Sequence, residues 1–462
     1  MDFPFENTYA NLPERLYTKL PPTPVKTPRL VAYNEALAAE LNIKGAPEAS
    51  VFAGNTVPEK ADPLAQVYAG HQFGHWNPQL GDGRAILLGE VGGQDIQLKG
   101  SGPTPYSRMG DGRAWLGPVL REYVVSEFMH AAGVPTTRAL AAVTTGEIVL
   151  REAPLPGAIL TRVAASHIRV GTFQYFASRT DAPALQALVD HCIARHYPDA
   201  DGPQGLLDAV VNAQANLIAK WMSLGFIHGV MNTDNCAISG ETIDYGPCAF
   251  MDAYHPETKF SSIDQFGRYA YNNQPDIAAW NLAQLATSLL QLMPDRDAAI
   301  EAFTESVNGF IPAFQKAYSA VFMSKIGISN TQDGDMTLVS DLLDRMAANQ
   351  ADFTNTFRGL SDGNARDQFV DPTAFDTWAE GWQARIAAEP DPKALMRKTN
   401  PAVIPRNHRV EEMIQAAVKG DFGPFERLNM VLATPYMLAE TDTDLAAPPT
   451  EQEIVHQTFC GT

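Results

Sequence analysis

The sequence predicts an α+β protein in which a small β-rich N-terminal lobe precedes a larger helical lobe. Residues 85–163 hold short apolar runs separated by glycine-containing turns, whereas residues 206–418 hold longer segments with helical spacing. Hydrophobic residues make up 45% of the chain and charged residues 19%, as in globular proteins. The length of 462 residues suits one large two-lobed enzyme or two to three ordinary domains.

The β-rich lobe is predicted to begin with a hairpin and a helix. Residues 85–91 and 95–99 are expected to be strands, joined by Gly92-Gly93, which is a hairpin turn signal. Residues 116–132 place their apolar side chains on one helical face and end at Gly133. Three more strands are expected, with the first two paired through Thr145-Gly146: residues 139–143, 147–151 and 158–163.

The later part of the chain is predicted to be helical. A β-rich lobe followed by a helical lobe is the arrangement of protein kinases, with extensions expected here at both ends. Helices are predicted over residues 206–224, 277–292, 298–320, 337–349 and 410–418. The predicted divisions are 1–67 as an N-terminal extension packing on the core, 68–165 as the N-lobe, 166–330 as the C-lobe with the catalytic and metal-binding loops, 331–440 as a C-terminal helical region and 441–462 as an acidic tail.

Composition limits the kinds of molecule that this protein is expected to bind and the compartment in which it is expected. A formal net charge of -19 repels nucleic acid and anionic lipid, so neither a nucleic acid polymer nor a membrane is expected as partner. The 4 cysteines match neither a zinc site nor a disulfide framework, which favours the reducing cytoplasm. No export signal and no apolar run of roughly 18 residues is visible. We expect a cytoplasmic protein and a monomer.

The strongest chemical signal is the stretch His228-Gly-Val-Met-Asn-Thr-Asp-Asn235 followed by Asp244-Tyr-Gly246, at the end of a short strand predicted over residues 241–243. Protein kinases carry a catalytic loop H-R-D-x-x-x-x-N and a later D-F-G. His228 and Asn235 stand seven residues apart, as the His and Asn of the kinase loop do, and Asp244-Tyr-Gly246 has the D-F-G form with one aromatic residue exchanged for another. An amide oxygen from Asn235 and a carboxylate from Asp244 can together hold magnesium, a hard cation that bridges phosphates.

One position in this loop departs from the kinase pattern. Val230 stands where the kinase loop has its base, and valine accepts no proton. Asp234 is the carboxylate inside the loop. Either phosphoryl transfer has been lost, or the geometry is altered and Asp234 acts as the base. A plain surface turn rich in Asn and Asp is the alternative without chemistry.

A second group of residues is typical of phosphate binding. Gly81, Gly83 and Arg84 precede the first strand, and glycines allow close backbone approach to phosphate, although a simple turn has the same pattern. Lys99 ends the second strand, where kinases have their phosphate-binding lysine. A buried lysine needs a partner, which we expect to be Glu122, with Glu127 as the alternative.

Further candidates lie outside these motifs. Two arginines that flank His167, Arg162 and Arg169, would suit a triphosphate if they converge on a cleft, because guanidinium groups match phosphate oxygens. Asp111-Gly112-Arg113 stands between strand and helix, where a plain turn is the alternative. His71 and His75 have a zinc-helix spacing, but the neighbouring glycines and Pro78 argue against a helix.

These residues, in this order, resemble the selenoprotein O family of adenylylating pseudokinases over residues 68–436. The similarity rests on Tyr68-Ala-Gly-His-Gln-Phe-Gly74, Leu80-Gly-Asp-Gly-Arg-Ala85, Gln97-Leu-Lys-Gly-Ser-Gly102, Asp111-Gly-Arg113, the loop 228–235, Ile243-Asp-Tyr-Gly-Pro247, Gly267-Arg-Tyr269, Asn400-Pro401 and Arg406-Asn407.

The resemblance implies a protein adenylyltransferase, which moves AMP from ATP to a Ser, Thr or Tyr hydroxyl of a protein substrate. It implies a reversed ATP, with the α-phosphorus facing the acceptor, and a bound Mg²⁺ or Mn²⁺. Asp234 would be the base, and Asn235 and Asp244 the metal ligands. The residues implied to contact the nucleotide are Gly81, Gly83, Arg84, Lys99, Asp111, Gly112, Arg162, Arg169 and Asp244.

Members of that family often have selenocysteine or cysteine third from the end, where Cys460 stands. Some pair it with a cysteine in the activation segment, but residues 257–264 contain none, so a redox-regulatory Cys460 and an exposed, inert tail thiol both stay open. Two other functions remain open at this level: phosphoryl transfer with Asp234 as base, and an ATP-binding scaffold without catalysis.

Overall fold

The computed structural model describes residues 1–459, so Cys460 lies outside the described residues. The described chain is mixed α/β, with strands concentrated before residue 165 and helices after it. The strands are β1 (Tyr17–Lys19), β2 (Arg29–Tyr33), β3 (Leu64–Gln66), β4 (Gly70–Gln72), β5 (His75–Asn77), β6 (Ala85–Val91), β7 (Gln94–Lys99), β8 (Ala114–Trp115), β9 (Arg138–Leu150), β10 (Pro154–Ala164), β11 (Phe226–Ile227) and β12 (Ala249–Phe250).

The helices of the first half are α1 (Glu35–Glu40), α2 (Ala49–Phe52), α3 (Leu116–Ala131), α4 (Val170–Ala177), α5 (Ala182–His196) and α6 (Gly202–Ser223). Those of the second half are α7 (Gln274–Leu289), α8 (Arg296–Asn308), α9 (Phe310–Lys325), α10 (Asp335–Asn349), α11 (Phe353–Asp362), α12 (Pro372–Ile386), α13 (Pro392–Thr399), α14 (Asn407–Val418), α15 (Gly423–Leu432) and α16 (Thr443–Ala446). Within residues 1–459, no helix combines the length and apolarity that a bilayer crossing requires.

The main sheet is antiparallel and is buried on both faces. Its strand order is β1-β3-β6-β7-β10-β9-β2, with β8 paired to β10. Successive residues of β6 enter different cores, because side chains alternate across a strand: Leu87 packs into the large core with α3, and Ile86 and Leu88 pack with Phe3 and Phe52 on the other face. Residues 1–67 thus supply three strands and one covering layer of this sheet.

Several sequence predictions are confirmed, and one pairing is wrong. The strands over 85–91 and 95–99, the helix over 116–132 and the helix over 206–224 are all present, within a few residues. Residues 139–143 and 147–151 do not form a hairpin. They are one strand, β9, which pairs with β10 on both sides of a register shift between Pro156 and Ala158. Thr145-Gly146 lies at this bulge, where glycine resembles a turn signal.

Two further elements differ from prediction. The helix predicted over 298–320 is divided at Gly309 into α8 and α9. Residues 241–243 are not a named strand, because Thr242 makes only an isolated bridge with Thr136. The helices predicted over 277–292, 337–349 and 410–418 correspond to α7, α10 and α14.

The end of α6 positions the loop over residues 228–248. Gly225 has a φ of 68° and turns the chain from α6 into β11. β11 pairs with β12, so the two ends of the loop 228–248 lie next to each other. This loop faces the end of β7, where Lys99 lies, because Lys99 contacts Asp244 directly.

Candidate active site

All of the predicted nucleotide, metal and base residues line one cavity of about 560 Å³ between the sheet and the loop 228–248. They are Gly81, Gly83, Arg84, Lys99, Asp111, Gly112, Arg162, Arg169, Asp234, Asn235 and Asp244. These residues come from seven separate stretches of sequence, so the cavity is assembled by the tertiary fold.

Three cations converge on Asp244. Its Oδ1 lies 2.7 Å from Lys99 Nζ and 2.6 Å from Arg162 Nη1, and its Oδ2 lies 3.2 Å from Arg169 Nη2. Asp244 has a φ of 62°, a left-handed conformation that aspartate tolerates better than most residues do. The convergence of Arg162 and Arg169, which spacing could not establish, is therefore present.

Glu122 is the partner of Lys99. Its Oε2 lies 2.6 Å from Lys99 Nζ, and its Oε1 lies 3.2 Å from Arg162 Nη1. Glu127, the alternative, pairs instead with Arg138 at 2.8 Å and lies outside the cavity. The prediction of a Lys99–Glu122 ion pair is confirmed.

Arg162 and Arg169 also contact Gln97, Asp82 and His167, to which the sequence analysis gave no role in the site. Gln97 accepts a hydrogen bond of 2.6 Å from Arg162, and Asp82 lies 3.6 Å from Arg169. His167 contacts Arg162 at 3.2 Å and Asp95 at 2.9 Å. Asp82 lies between Gly81 and Gly83, and Gln97 lies two residues before Lys99. The motifs that contain these two residues were the sequence feature that could have indicated their place in the site.

Opposing forces act on the pKa of Asp244. Burial alone would raise this pKa, but the charges of Lys99, Arg162 and Arg169 hold it well below its usual range. Asp244 is therefore an ionised carboxylate surrounded by more positive charge than it can neutralise alone.

Asp234 has a different environment in the same cavity. It lies in a short 3₁₀ turn, Thr233–Asn235, and is buried. Burial raises its pKa to about 6, against the lowering effects of Arg169 and of a hydrogen bond from Gln72. A carboxyl group with a pKa near neutrality suits proton transfer at physiological pH.

Asn235 is oriented by the backbone of its own loop. Its Nδ2 donates to the carbonyl oxygen of Val230 at 2.9 Å. This bond directs the amide oxygen away from Val230, and Asn235 and Asp244 both line the cavity. Two oxygen donors suit Mg²⁺, which binds through few protein ligands together with phosphates and water. Among residues 1–459, no group of three or more His, Cys, Asp or Glu side chains could hold a metal.

The glycines at 81 and 83 are needed for packing. A Cβ on Gly81 would lie 2.5 Å from the Tyr106 ring, and one on Gly83 would lie 2.9 Å from the Tyr106 carbonyl oxygen. Gly112 has a φ of 66°, and a Cβ there would lie 2.2 Å from the backbone of Gly102. These glycines therefore allow two loops to close over the cavity.

Asp111 and Arg84, two charged residues that line the cavity, differ in their ion-pair partners. Asp111 pairs with Arg151 at 2.9 Å, with its side chain about half exposed. Arg84 lines the cavity and forms no ion pair with any other described residue. An arginine without a carboxylate partner remains available to an anionic ligand.

His71 and His75 lie on the β4–β5 hairpin, as the nearby glycines indicated, and not on a helix. Nδ1 of His71 lies 2.9 Å from Gln174 Nε2. The hairpin contacts the catalytic loop, because the His71 amide donates to Thr233 Oγ1 at 2.7 Å. This contact was not predicted, although Tyr68–Gly74 had been recognised as a motif.

Comparison with known proteins agrees with this geometry. The sequence model of one family, described as "Protein adenylyltransferase SelO", matches residues 1–433. The chain belongs to the SelO family. The match includes every residue that lines the cavity.

Close relatives extend over the whole chain. A protein of Ruegeria pomeroyi is 64% identical over 99% of this chain and 99% of its own length, and one of Ruegeria sp. (strain TM1040) is 62% identical over 100% of both. A protein of Bradyrhizobium sp. (strain ORS 278) is 57% identical over 100% of this chain and 99% of its own. Each of the three is named "Protein nucleotidyltransferase YdiU".

Proposed function

We propose that this protein transfers AMP from ATP to Ser, Thr or Tyr hydroxyls of other proteins, on a two-lobed, kinase-like framework. Nucleotidyl transfer to protein is the activity for which the SelO family and the full-length relatives are named. The sheet would be the N-lobe, and the helical region would be the C-lobe. The enzyme is proposed to act as a monomer in the cytoplasm, where ATP is available.

The observation that carries the proposal is the convergence of Lys99, Arg162 and Arg169 on Asp244, inside a cavity that also holds Asp234. Glu122 and Asp82 also pair with these cations, and the ammonium and guanidinium groups can in addition donate to the oxygens of a triphosphate. On ATP binding, the three cations would donate to phosphate oxygens. Arg84, at the rim of the cavity, would add a further contact to the nucleotide.

Asn235 and Asp244 would hold Mg²⁺, or Mn²⁺ in its place, since both line the cavity and both carry side-chain oxygen atoms. Such an ion, when bound, neutralises phosphate oxygens and so favours displacement at phosphorus. Asp244 would then exchange part of its contact with the cations for the ion, while Glu122 keeps Lys99 and Arg162 in place.

Asp234 would take the proton of the acceptor hydroxyl. The acceptor oxygen forms a bond to the α-phosphorus, the bond from that phosphorus to the bridging oxygen breaks, and pyrophosphate leaves with the electron pair. Val230 accepts no proton and is 8% exposed, so it contributes apolar surface next to the reacting groups. Asp234 is the loop carboxylate in a position to serve, which accounts for a valine at the position of the kinase base.

The test is incubation with ATP labelled at the α-phosphate and, separately, at the γ-phosphate, using casein as the protein acceptor. We expect the α-label, and not the γ-label, to appear on casein or on the enzyme itself. Label from the γ-phosphate would instead indicate phosphoryl transfer, and no label from either would indicate a scaffold. Val230→Asp restores the kinase-like sequence and is the matched variant: if nucleotide orientation decides the reaction, it gains no γ-transfer.

A further inference from the structure

The β4–β5 hairpin holds the catalytic loop through three adjacent residues. The Phe73 amide donates to Asn232 Oδ1 at 3.1 Å, as the His71 amide does to Thr233 at 2.7 Å. Between them, Gln72 Nε2 donates to Asp234 Oδ2 at 3.1 Å. The first two contacts use the hairpin backbone, whereas the third depends on the identity of one side chain.

The two oxygens of Asp234 are in different surroundings. Oδ1 is buried and has no hydrogen-bond partner among the described residues. It lies against Gly70, where a Cβ would be only 2.7 Å from it. Asp234 and Gln72 both line the cavity. Oδ2, the oxygen that Gln72 contacts, is the candidate for proton transfer, because Oδ1 is buried against Gly70.

We propose that Gln72 is a positioning residue for Asp234, and that Gly70 leaves the space this position requires. The proposal rests on the proposed function, in which the acceptor proton moves to Asp234. A carboxylate oxygen has two lone pairs. Gln72 occupies one on Oδ2 and so directs the other toward the acceptor hydroxyl. Without this bond the carboxylate rotates away from the reactive position, and a small displacement of a reacting group is costly in rate.

The contacts separate this role from simple attachment of the hairpin. Removal of the Gln72 amide leaves the backbone bonds of His71 and Phe73 in place. Gln174 also bridges the two elements, since it contacts His71 at 2.9 Å and accepts from Thr233 Oγ1 at 2.6 Å. Gln72→Leu is therefore expected to fold with the hairpin attached.

The experiment is a double-mutant cycle on AMP transfer, with α-labelled ATP and casein as acceptor, scored as total label on casein and on the enzyme. We expect Gln72→Leu to lower kcat about 10-fold, which is part of the about 10²–10⁴-fold that general-base catalysis supplies, and to leave KM for ATP within about twofold. In an Asp234→Ala background, the same change has no further effect on kcat, because the group it positions is gone. Gln79→Leu is the matched control, since Gln79 is exposed on the segment after β5.

Gly70→Ala gives a second, independent measurement. It is expected to lower kcat when Asp234 is present and to have a much smaller effect when position 234 is alanine, because the shortest overlap, at 2.7 Å, is with Oδ1, whereas the Cβ that alanine keeps lies 3.1 Å away. Full activity of Gln72→Leu alongside an inactive Asp234→Ala would overturn the role of Gln72 alone. An equal loss from Gln72→Leu in both backgrounds would also overturn it, as an effect that bypasses Asp234. Full activity of Asp234→Ala would overturn the base assignment itself, and the role of Gln72 with it.

Discussion

Asp244 contacts three cationic side chains, whereas Asp234, in the same cavity, receives its side-chain hydrogen bond from one neutral amide. Both are largely enclosed by protein. The cations hold the pKa of Asp244 well below its usual range, and burial raises that of Asp234 to about 6. Their different positions relative to the cations thus give these two aspartate side chains different pKa values.

This difference indicates a division of work. A carboxylate that stays ionised suits the binding of cations, and one that titrates near neutrality suits proton transfer. The sheet region supplies the charged partners of Asp244, through Lys99 and Arg162, and the β4–β5 hairpin supplies the neutral partner of Asp234. In the proposed function, the cavity therefore has an electrostatic side around Asp244 and a proton-transfer side around Asp234.

The largest effect is expected on the electrostatic side. Asp244→Ala should lower AMP transfer by about 10³-fold or more, because it removes a proposed metal ligand and leaves three cations without the carboxylate that all three contact. The measurement is incorporation of α-label together with ATP binding by calorimetry, in the presence and absence of Mg²⁺. Asp199→Ala, at an exposed position, is the control. Near-normal transfer by Asp244→Ala would remove this residue from the site and end the comparison.

A second prediction separates two glutamates on the same helix, α3. Glu122→Gln should lower kcat/KM by about 10²-fold with little change in Tm, because Lys99 and Arg162 keep Asp244 as a partner but lose their alignment. Glu127→Gln should instead lower Tm and change kcat/KM little. Glu127 accepts from Arg138, from Asn34 and from the Ala139 amide, so its loss should cost about 1–3 kcal/mol of stability.

Both variants are measured by thermal melting and by transfer at a temperature well below the melting transition. The idea fails if Glu127→Gln is the variant that loses activity in its folded state while Glu122→Gln stays fully active. That outcome would place the functional contact on the other side of α3.

The third prediction, which concerns stability and not activity, tests the premise that burial without an opposite charge favours the neutral form. Lys325 is 2% exposed, lies over the rings of Phe353 and Phe357 at 5.3 and 4.3 Å, and forms no ion pair within residues 1–459. Burial lowers its pKa to about 7 from an ordinary 10.5. Between these pH values the unfolded chain binds more protons than the folded chain, so this group makes stability rise with pH across that window.

Lys325→Met should therefore stabilise the protein at pH 7 and below by an amount on the order of a few kcal/mol, since one unit of pKa shift corresponds to about 1.4 kcal/mol. The gain should shrink as the pH rises toward 10. Chemical unfolding at several pH values measures it, with the exposed Lys316→Met on the same helix as control. An equal effect of Lys325→Met at pH 6 and pH 10 would contradict the premise.

Local pattern accounts for most of what could be predicted. The elements over 85–91, 116–131 and 202–223 have clear periodicity, and their ends carry glycine. The hairpin predicted at Thr145-Gly146 was wrong because a glycine at a bulge and a glycine at a turn look alike in sequence. Which of the two forms depends on the partner strand β10, and no local pattern describes a partner.

The sequence by itself determined which residue types were available as site candidates: a loop with Asp234 and Asn235, a later Asp244, and a lysine at the end of a strand. Motif spacing can indicate such candidates because each motif has its residue types at set separations along the chain. The tertiary structure alone decided that Glu122 rather than Glu127 faces Lys99, that both arginines reach Asp244 and that Gln72 reaches Asp234. The last contact joins residues 162 positions apart, and its geometry depends on how a strand hairpin packs against a loop from the helical region.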